Sequence, residues 1–181
     1  MTSVRPVWNM DFFGDIAVVK GAAWPVLDIE PRRYRLRLLN GSQSRFYDLW
    51  LEDGGQPLPF HVIGTDGGLL SSLAPVTRLP LAPGERADIL VDFSSVAAGA
   101  VLTLKNDAPA PFPAGGRHII GEIMQIRVSR PLAGTDETAP AENLALPQFA
   151  PLAASPGAPQ REIVIVEDAD PGAGTAISRS T

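Results

Sequence analysis

The sequence predicts an all-β domain, a sandwich or barrel of short strands. Three observations carry this. Arg33, Arg35 and Arg37 alternate with Tyr34, Leu36 and Leu38, and a period of two gives a strand one wet face and one buried face. Ala87, Ile89, Val91 and Phe93 alternate with Asp88, Leu90 and Asp92 in the same way. Between such runs stand glycine and proline turn signals at close intervals, and neither a long helical pattern nor an internal repeat interrupts them.

In chain order, Gly14-Asp15 closes an aromatic and acidic opening that begins at Trp8, and Ile16 to Val19 is the first β-branched run. Lys20-Gly21 turns the chain, and Pro25 holds Trp24 extended before a strand from Val26 to Ile29. The alternating run Arg33 to Leu38 and the run Phe46 to Leu51 are expected to form a central pair joined by a turn at Asn40-Gly41, which tolerates positive φ. Phe46 to Leu51 is apolar on both faces, so it needs cover on both sides or lies where two sheets meet. After the Asp53-Gly54-Gly55 turn, Pro57 and Pro59 suit an edge. Phe60 to Ile63 is a strand, Gly64 to Gly68 a turn, and Leu69-Leu70 reopens the apolar pattern. Val76 to Leu81 reads as a strand broken by Pro80, and Pro83-Gly84 as the centre of a type II turn. Val101 to Lys105 is a strand, followed by a long proline- and glycine-rich loop from Asn106 to His118. Glu122 to Val128 closes the pattern, with Ile123, Gln125 and Arg127 on one face and Met124, Ile126 and Val128 on the other.

Beyond Pro131 the pattern fades. Residues 1–131 are expected to form the domain, 132–160 an alanine- and proline-rich linker lying on a surface, and 161–181 a short tail with one isolated β run, Ile163 to Val166. Asp168 to Thr181 has the composition of a disordered end.

Composition excludes several functions. The chain of 181 residues carries a formal charge of −5, which argues against a general nucleic-acid surface. It has no cysteine, so disulfides, iron–sulfur clusters, thiolate zinc sites and a blue-copper thiolate cannot form on it alone. No charged-then-apolar leader stands at Met1 to Val7, and no apolar run approaches the roughly 20 residues of a membrane span.

Candidate chemistry is sparse. His61 and His118 stand apart, without the His-x-His pairing that copper and zinc sites favour, and each reads as a half-buried or surface histidine. Ser71 or Ser72 with His61 and Asp66 would make a hydrolase set, but no Gly-x-Ser-x-Gly elbow supports it. Asp88 and Asp92 share a strand face as any solvated pair would, so a glycosidase pair is weakly indicated. The Gly64 to Gly68 turn lacks the ending of a phosphate loop. The arginines at 32, 33, 35, 37 and 45 read as a solvated face with carboxylate partners. Trp8, Trp24 and Trp50 fit core or interface better than a sugar platform.

Several segments in order resemble one family: Asp11-Phe12-Phe13-Gly14-Asp15, Trp24-Pro25-Val26-Leu27, the run from Glu30 to Ser42, Ile63 to Leu70, and Pro83 to Phe93. They are similar to the middle domain of three-domain multicopper oxidases of the bacterial laccase, spore-coat and bilirubin-oxidase type. Ile123 to Val128 matches that domain's last strand, and the resemblance spans Phe12 to Pro131. It implies a cupredoxin-like Greek-key β-barrel or sandwich with an extended C-terminal linker. It also implies that copper belongs to the flanking domains of the parent enzyme, with no metal ligand, catalytic residue or other cofactor here. The segment Arg161 to Glu167 resembles the opening strand of the third domain, so the chain is expected to be an excised fragment, inactive alone.

The role implied is a spacer that holds two copper-bearing domains in register, since shared metal sites need fixed ligand geometry. The 106–118 loop would border the pocket for an aromatic substrate, with Ala114, Gly115, Gly116 and Arg117 at closest approach. The parent would oxidise phenols, aromatic amines or bilirubin-like pigments and reduce oxygen to water. Its partners are the flanking domains and that small molecule, with no nucleic acid or membrane. The alternative is a stand-alone β-sandwich module binding carbohydrate or protein through exposed Trp or Tyr; a third reading is the hydrolase set above.

Overall fold

A computed structural model describes residues 12–116, 120–150, 152–153 and 155–164. The chain divides into two units, Met1–Phe149 and Ala150–Thr181. The first is all-β. Twelve strands are present among its described residues: β1 (Val18–Val19), β2 (Ala22–Ala23), β3 (Val26–Ile29), β4 (Arg33–Leu39), β5 (Tyr47–Asp53), β6 (Gln56–Leu58), β7 (Phe60–Thr65), β8 (Gly68–Val76), β9 (Leu79–Leu81), β10 (Arg86–Asp92), β11 (Val101–Asn106) and β12 (Glu122–Val128).

Two sheets face each other across the core. One has the order β4-β10-β7-β8; the other runs β3-β12-β11-β5-β6, with β9 also pairing β5. Every pairing is antiparallel except β3 with β12. The inward residues are those the period-two patterns select. Ala87, Ile89 and Val91 of β10 are buried, and Tyr34, Leu36 and Leu38 of β4 pack beside them. Leu49, Leu51, Leu102, Ile126 and Val128 meet them from the other sheet, and Phe93 fills the centre at 1% exposure with Tyr34 edge-on to its ring, centroids 6.0 Å apart. Burial of this apolar surface is the main term holding the sheets together.

Five expectations need correction. The runs Arg33 to Leu38 and Phe46 to Leu51 are not a pair: β4 joins β10 and β5 joins β11, in different sheets. The chain crosses between sheets at Asn40, and Gly41 does not use positive φ. The buried Asn40 side chain makes the joint. Its Nδ2 donates to the carbonyls of Arg45 (2.7 Å) and Leu81 (3.0 Å), and its Oδ1 accepts from the Ser42 amide and hydroxyl. An Asx-type side chain mimicking a backbone turn replaces the glycine geometry.

Second, Ile123 is buried together with Ile126 and Val128, against the parity of β12. The register slips between Leu104 opposite Met124 and Lys105 opposite Glu122. That β-bulge leaves Ile123 as the extra residue and turns it inward. Third, the strand break lies at Thr77-Arg78 rather than at Pro80, which sits inside β9 opposite Asp48. Fourth, Ile163 and Val164 form no strand and are 79% and 69% exposed; Ile165 and Val166 lie outside the described residues. Fifth, Pro25 does not hold Trp24 extended: Trp24 has φ 40°, in the left-handed region, with its N–H on the Ala17 carbonyl (3.0 Å) and its indole Nε1 donating to the Glu122 carbonyl (3.0 Å).

The turn expected at Pro83-Gly84 and the edge expected at Pro57 are present. The Pro83-Gly84 turn closes with Glu85 N–H on the Ala82 carbonyl, 3.0 Å, and Gly84 at φ 82°. β6, carrying Pro57, is an edge strand. Residues 132–149 run as an irregular strap over the β4 side, with one 3-10 turn at Ala141–Asn143. Arg33 Nη1 donates to the Thr138 carbonyl (2.9 Å), Asp136 faces Arg32 (3.6 Å) and Arg33 (3.9 Å), and Gln148 Nε2 donates to the Ser71 carbonyl (2.8 Å). In the second unit, the described residues have no regular secondary structure apart from a turn at Ser155–Ala158.

Candidate functional site

The long loop after β11 is anchored by Asn106, which is 1% exposed. Its Oδ1 accepts from the Asp48 and Ala108 amides (2.8 and 3.1 Å), and its Nδ2 donates to the Ile120 carbonyl (3.0 Å). Its backbone N–H bonds the Gly121 carbonyl. One side chain thus ties both ends of the loop to the start of β5. Buried polar groups must be paired, and here the pairing itself fixes where the loop leaves the sheet.

From that base the loop packs inward. Ala108 and Ala110 are buried, and the Gly115 N–H bonds the Pro111 carbonyl at 2.6 Å. A Cβ on Gly115 would lie 2.2 Å from backbone atoms of Ala110 and Pro111, so only glycine fits there. Phe112 stacks on Phe46, centroids 4.4 Å apart and planes 13° from parallel, while remaining 49% exposed. Behind Phe46, the buried Arg45 donates to the Gly14 carbonyl (2.9 Å) and sits over the Phe13 ring. Burial pushes the neighbouring Tyr47 phenol up, outweighing Arg45 and Ser42, which lower it. Arg78 closes the corner. It pairs with Asp48 (2.8 Å) and Asp107 and lies 4.3 Å over the Trp50 ring.

Of the loop residues singled out in the sequence, Ala114 and Gly116 are exposed and Gly115 is half-buried. Arg117 and His118 lie outside the described residues, as does Trp8. Sequence reasoning missed Asn106 as an anchor and Phe112 as a stacked, exposed ring. An asparagine between a strand and a proline-rich run is the signal that could have found the anchor.

The hydrolase set does not assemble. Asp66 is taken by the Arg86 side chain (2.9 Å) and amide (3.0 Å), the Ser71 carbonyl is held by Gln148, and His61 lies opposite Pro75 and Leu90. Asp88 and Asp92 are ion-paired rather than poised for acid–base work. Hydrogen bonds from Arg35, aided by Arg37, hold the Asp88 carboxyl below its ordinary value. Burial pushes Asp92 up, but Ser94 and Arg33 outweigh it and lower the carboxyl overall. Arg32, Arg33, Arg35 and Arg37 therefore have the carboxylate partners expected of them, whereas Arg45, expected on the same solvated face, is buried at 3% exposure and donates to the Gly14 carbonyl. Among the described residues no three His, Cys, Asp or Glu side chains converge as a metal site. The same residues include no helix long and apolar enough to cross a membrane.

What this arrangement offers among the described residues is a rim of ring faces and backbone held by buried hydrogen bonds. Its relatives are informative. The chain is 40% identical over 132 residues to multicopper oxidase LPR1 homolog 5 of Oryza sativa subsp. japonica, covering 70% of this chain and 20% of that protein. It is 42% identical over 130 residues to a laccase of Bacillus subtilis (strain 168), covering 70% and 24%. The chain belongs to the multicopper oxidase family. The solved structure of McoA multicopper oxidase from the hyperthermophile Aquifex aeolicus (2F4 variant) superposes with a TM-score of 0.70 at 37% identity, covering 82% of this chain and 32% of that one. The all-β architecture of this multicopper oxidase domain is accordingly cupredoxin-like. The chain spans about a fifth to a third of the length of these relatives. No family model matches it.

Proposed function

We propose that the chain is the middle, non-copper-binding domain of a three-domain multicopper oxidase, and that it sets the distance between two copper-bearing domains. Residues 1–131 are the spacer body, 132–160 the connection onward, and 161–181 the start of the next domain. The parent enzyme would oxidise phenolic or aromatic substrates and reduce oxygen to water, with copper held by the flanking domains. The loop rim, with Ala114, Gly115, Gly116 and Arg117, would line the substrate pocket.

One observation supports this reading above the others. A domain that matches copper oxidases over most of its length spends its polar side chains on its own architecture: Asn40, Asn106, Arg78 and the arginine ladder each close a structural contact. Such a domain contributes position rather than chemistry. Copper loading of this chain followed by metal analysis tests it. Less than a tenth of an equivalent, roughly, is expected after desalting; about one tightly held copper per chain would overturn the proposal.

A further inference from the structure

The strap does not lie flush on the sheet beneath it. Between its two polar fastenings, Thr138 at one end and Gln148 at the other, it roofs a cavity of about 310 Å³. The floor is the outer face of the four-stranded sheet. Leu90 lies at its centre, with Arg35 opposite on β4 and His61 opposite on β7. Ala139, Ala141 and Leu144 form the roof, and Arg33 closes one end. The void lies away from the 107–116 loop in sequence and on the opposite sheet, and the proposed function does not use it.

Two features give the cavity a chemical preference. Between Leu90 in the floor and Ala139, Ala141 and Leu144 in the roof its middle is apolar, which suits a flat ring or short hydrocarbon body. Its sides carry guanidinium groups whose donors are only partly used. Asp88 takes Arg35 through Nε and Nη2, so the Nη1 hydrogens have no protein acceptor among the described residues. Arg33 uses Nε on Asp92 and Nη1 on the Thr138 carbonyl, so Nη2 has none either. His61 is half-buried on the far wall, and no described residue bonds its ring. Of the carboxylates around the two arginines, Asp92 and Asp136 face Arg33, Asp88 holds Arg35 and Glu142 is exposed on the rim, and none of them accepts from Arg33 Nη2 or Arg35 Nη1.

We infer that this cavity is a binding site for a small aromatic carboxylate. The carboxylate sits on the spare N–H groups of Arg33 and Arg35. The ring lies between Leu90 and the Ala141–Leu144 roof, and a polar substituent reaches His61. A cavity of this volume accommodates a single-ring acid.

The test is a titration of the whole chain with 4-hydroxybenzoate, read by the His61 ring proton resonances, which His61→Gln assigns against His118. A saturable shift with a Kd below about 1 mM is expected. The neutral probe 4-hydroxybenzyl alcohol should bind at least roughly tenfold more weakly, because it cannot use the guanidinium donors. Arg35→Gln, a change at an exposed position, should weaken the acid about fivefold or more, and Ala141→Phe should abolish the shift by filling the space. No saturable shift at about 10 mM acid, equal affinity for the neutral probe, or unchanged affinity in Arg35→Gln would each overturn the proposal.

Discussion

The loop after β11 and the strap after β12 are both irregular segments laid against a sheet, yet they are held by opposite kinds of bond. The loop hangs from a neutral, buried side chain, Asn106, and is shaped by a glycine with no room for a methyl group. The strap is tied by charged and half-exposed groups, Arg32 and Arg33 with Asp136, and by one amide at Gln148. Buried hydrogen bonds are costly to leave unmade, whereas exposed ion pairs add little and fade in salt. The loop is therefore expected to open only with the domain, and the strap to open while the domain stays folded.

Four experiments break or sharpen this contrast, from the largest expected effect to the smallest. Asn106→Leu orphans the Asp48 and Ala108 amides and the Ile120 carbonyl. It should cost about 3 kcal/mol in urea unfolding with an unchanged slope; a loss under about 1 kcal/mol would mean the loop end is wetter than the buried geometry implies. Gly115→Ala should cost about 2 kcal/mol and expose the 107–116 segment to protease, because the methyl group meets backbone on its near side. Phe112→Ala should cost about 1 kcal/mol, lowering the thermal midpoint by a few degrees, since it removes one stacked ring that is half in water.

Asp136→Asn should leave global unfolding unchanged within error while amide exchange across 132–149 accelerates. Acid should loosen the strap of the unaltered chain in the same way. The Thr138 hydroxyl and amide, with Arg32 and Arg33, hold the Asp136 carboxyl below its ordinary value. A carboxyl lowered in the folded state stabilises above its unfolded value of about 4, and that contribution is lost as pH falls through the folded value. Protection of the strap amides, measured against the unprotected rate at each pH, should therefore fall below about pH 4, and also in about 1 M salt, while Ala108 and Ala110 stay protected. Equal loss of protection in both segments would erase the distinction drawn between them.

Much of the fold was readable from the residues because alternation reports which face is buried. The inward sets of β4 and β10 are the ones their spacing selects. Alternation does not report a partner, and so the break between β4 and β5 was hidden: two adjacent strands with a turn-like Asn-Gly between them look the same whether they pair or part. Ile123 shows a second limit. Its inward turn depends on a bulge against Leu104 and Lys105, and a bulge is a property of two strands, not of one. The site was legible as a loop of unusual length and proline content, but its anchor was not. What distinguishes Asn106 from any other asparagine is the distance to Asp48 and Ile120, which no local pattern encodes. The arginine ladder was legible because its carboxylate partners lie on strands whose own spacing exposes them.

The Asn40 joint bears on how such a domain tolerates change in chain length. A single amide bridges the carbonyls of Arg45 and Leu81, so two separate crossings between the sheets share one rivet. Adding or deleting a residue anywhere in 41–44 would pull that rivet from both. The Gly54-Gly55 hairpin tip, exposed and with nothing packed near either glycine, can lengthen freely. Insertions tagged for labelling or tethering belong at that tip.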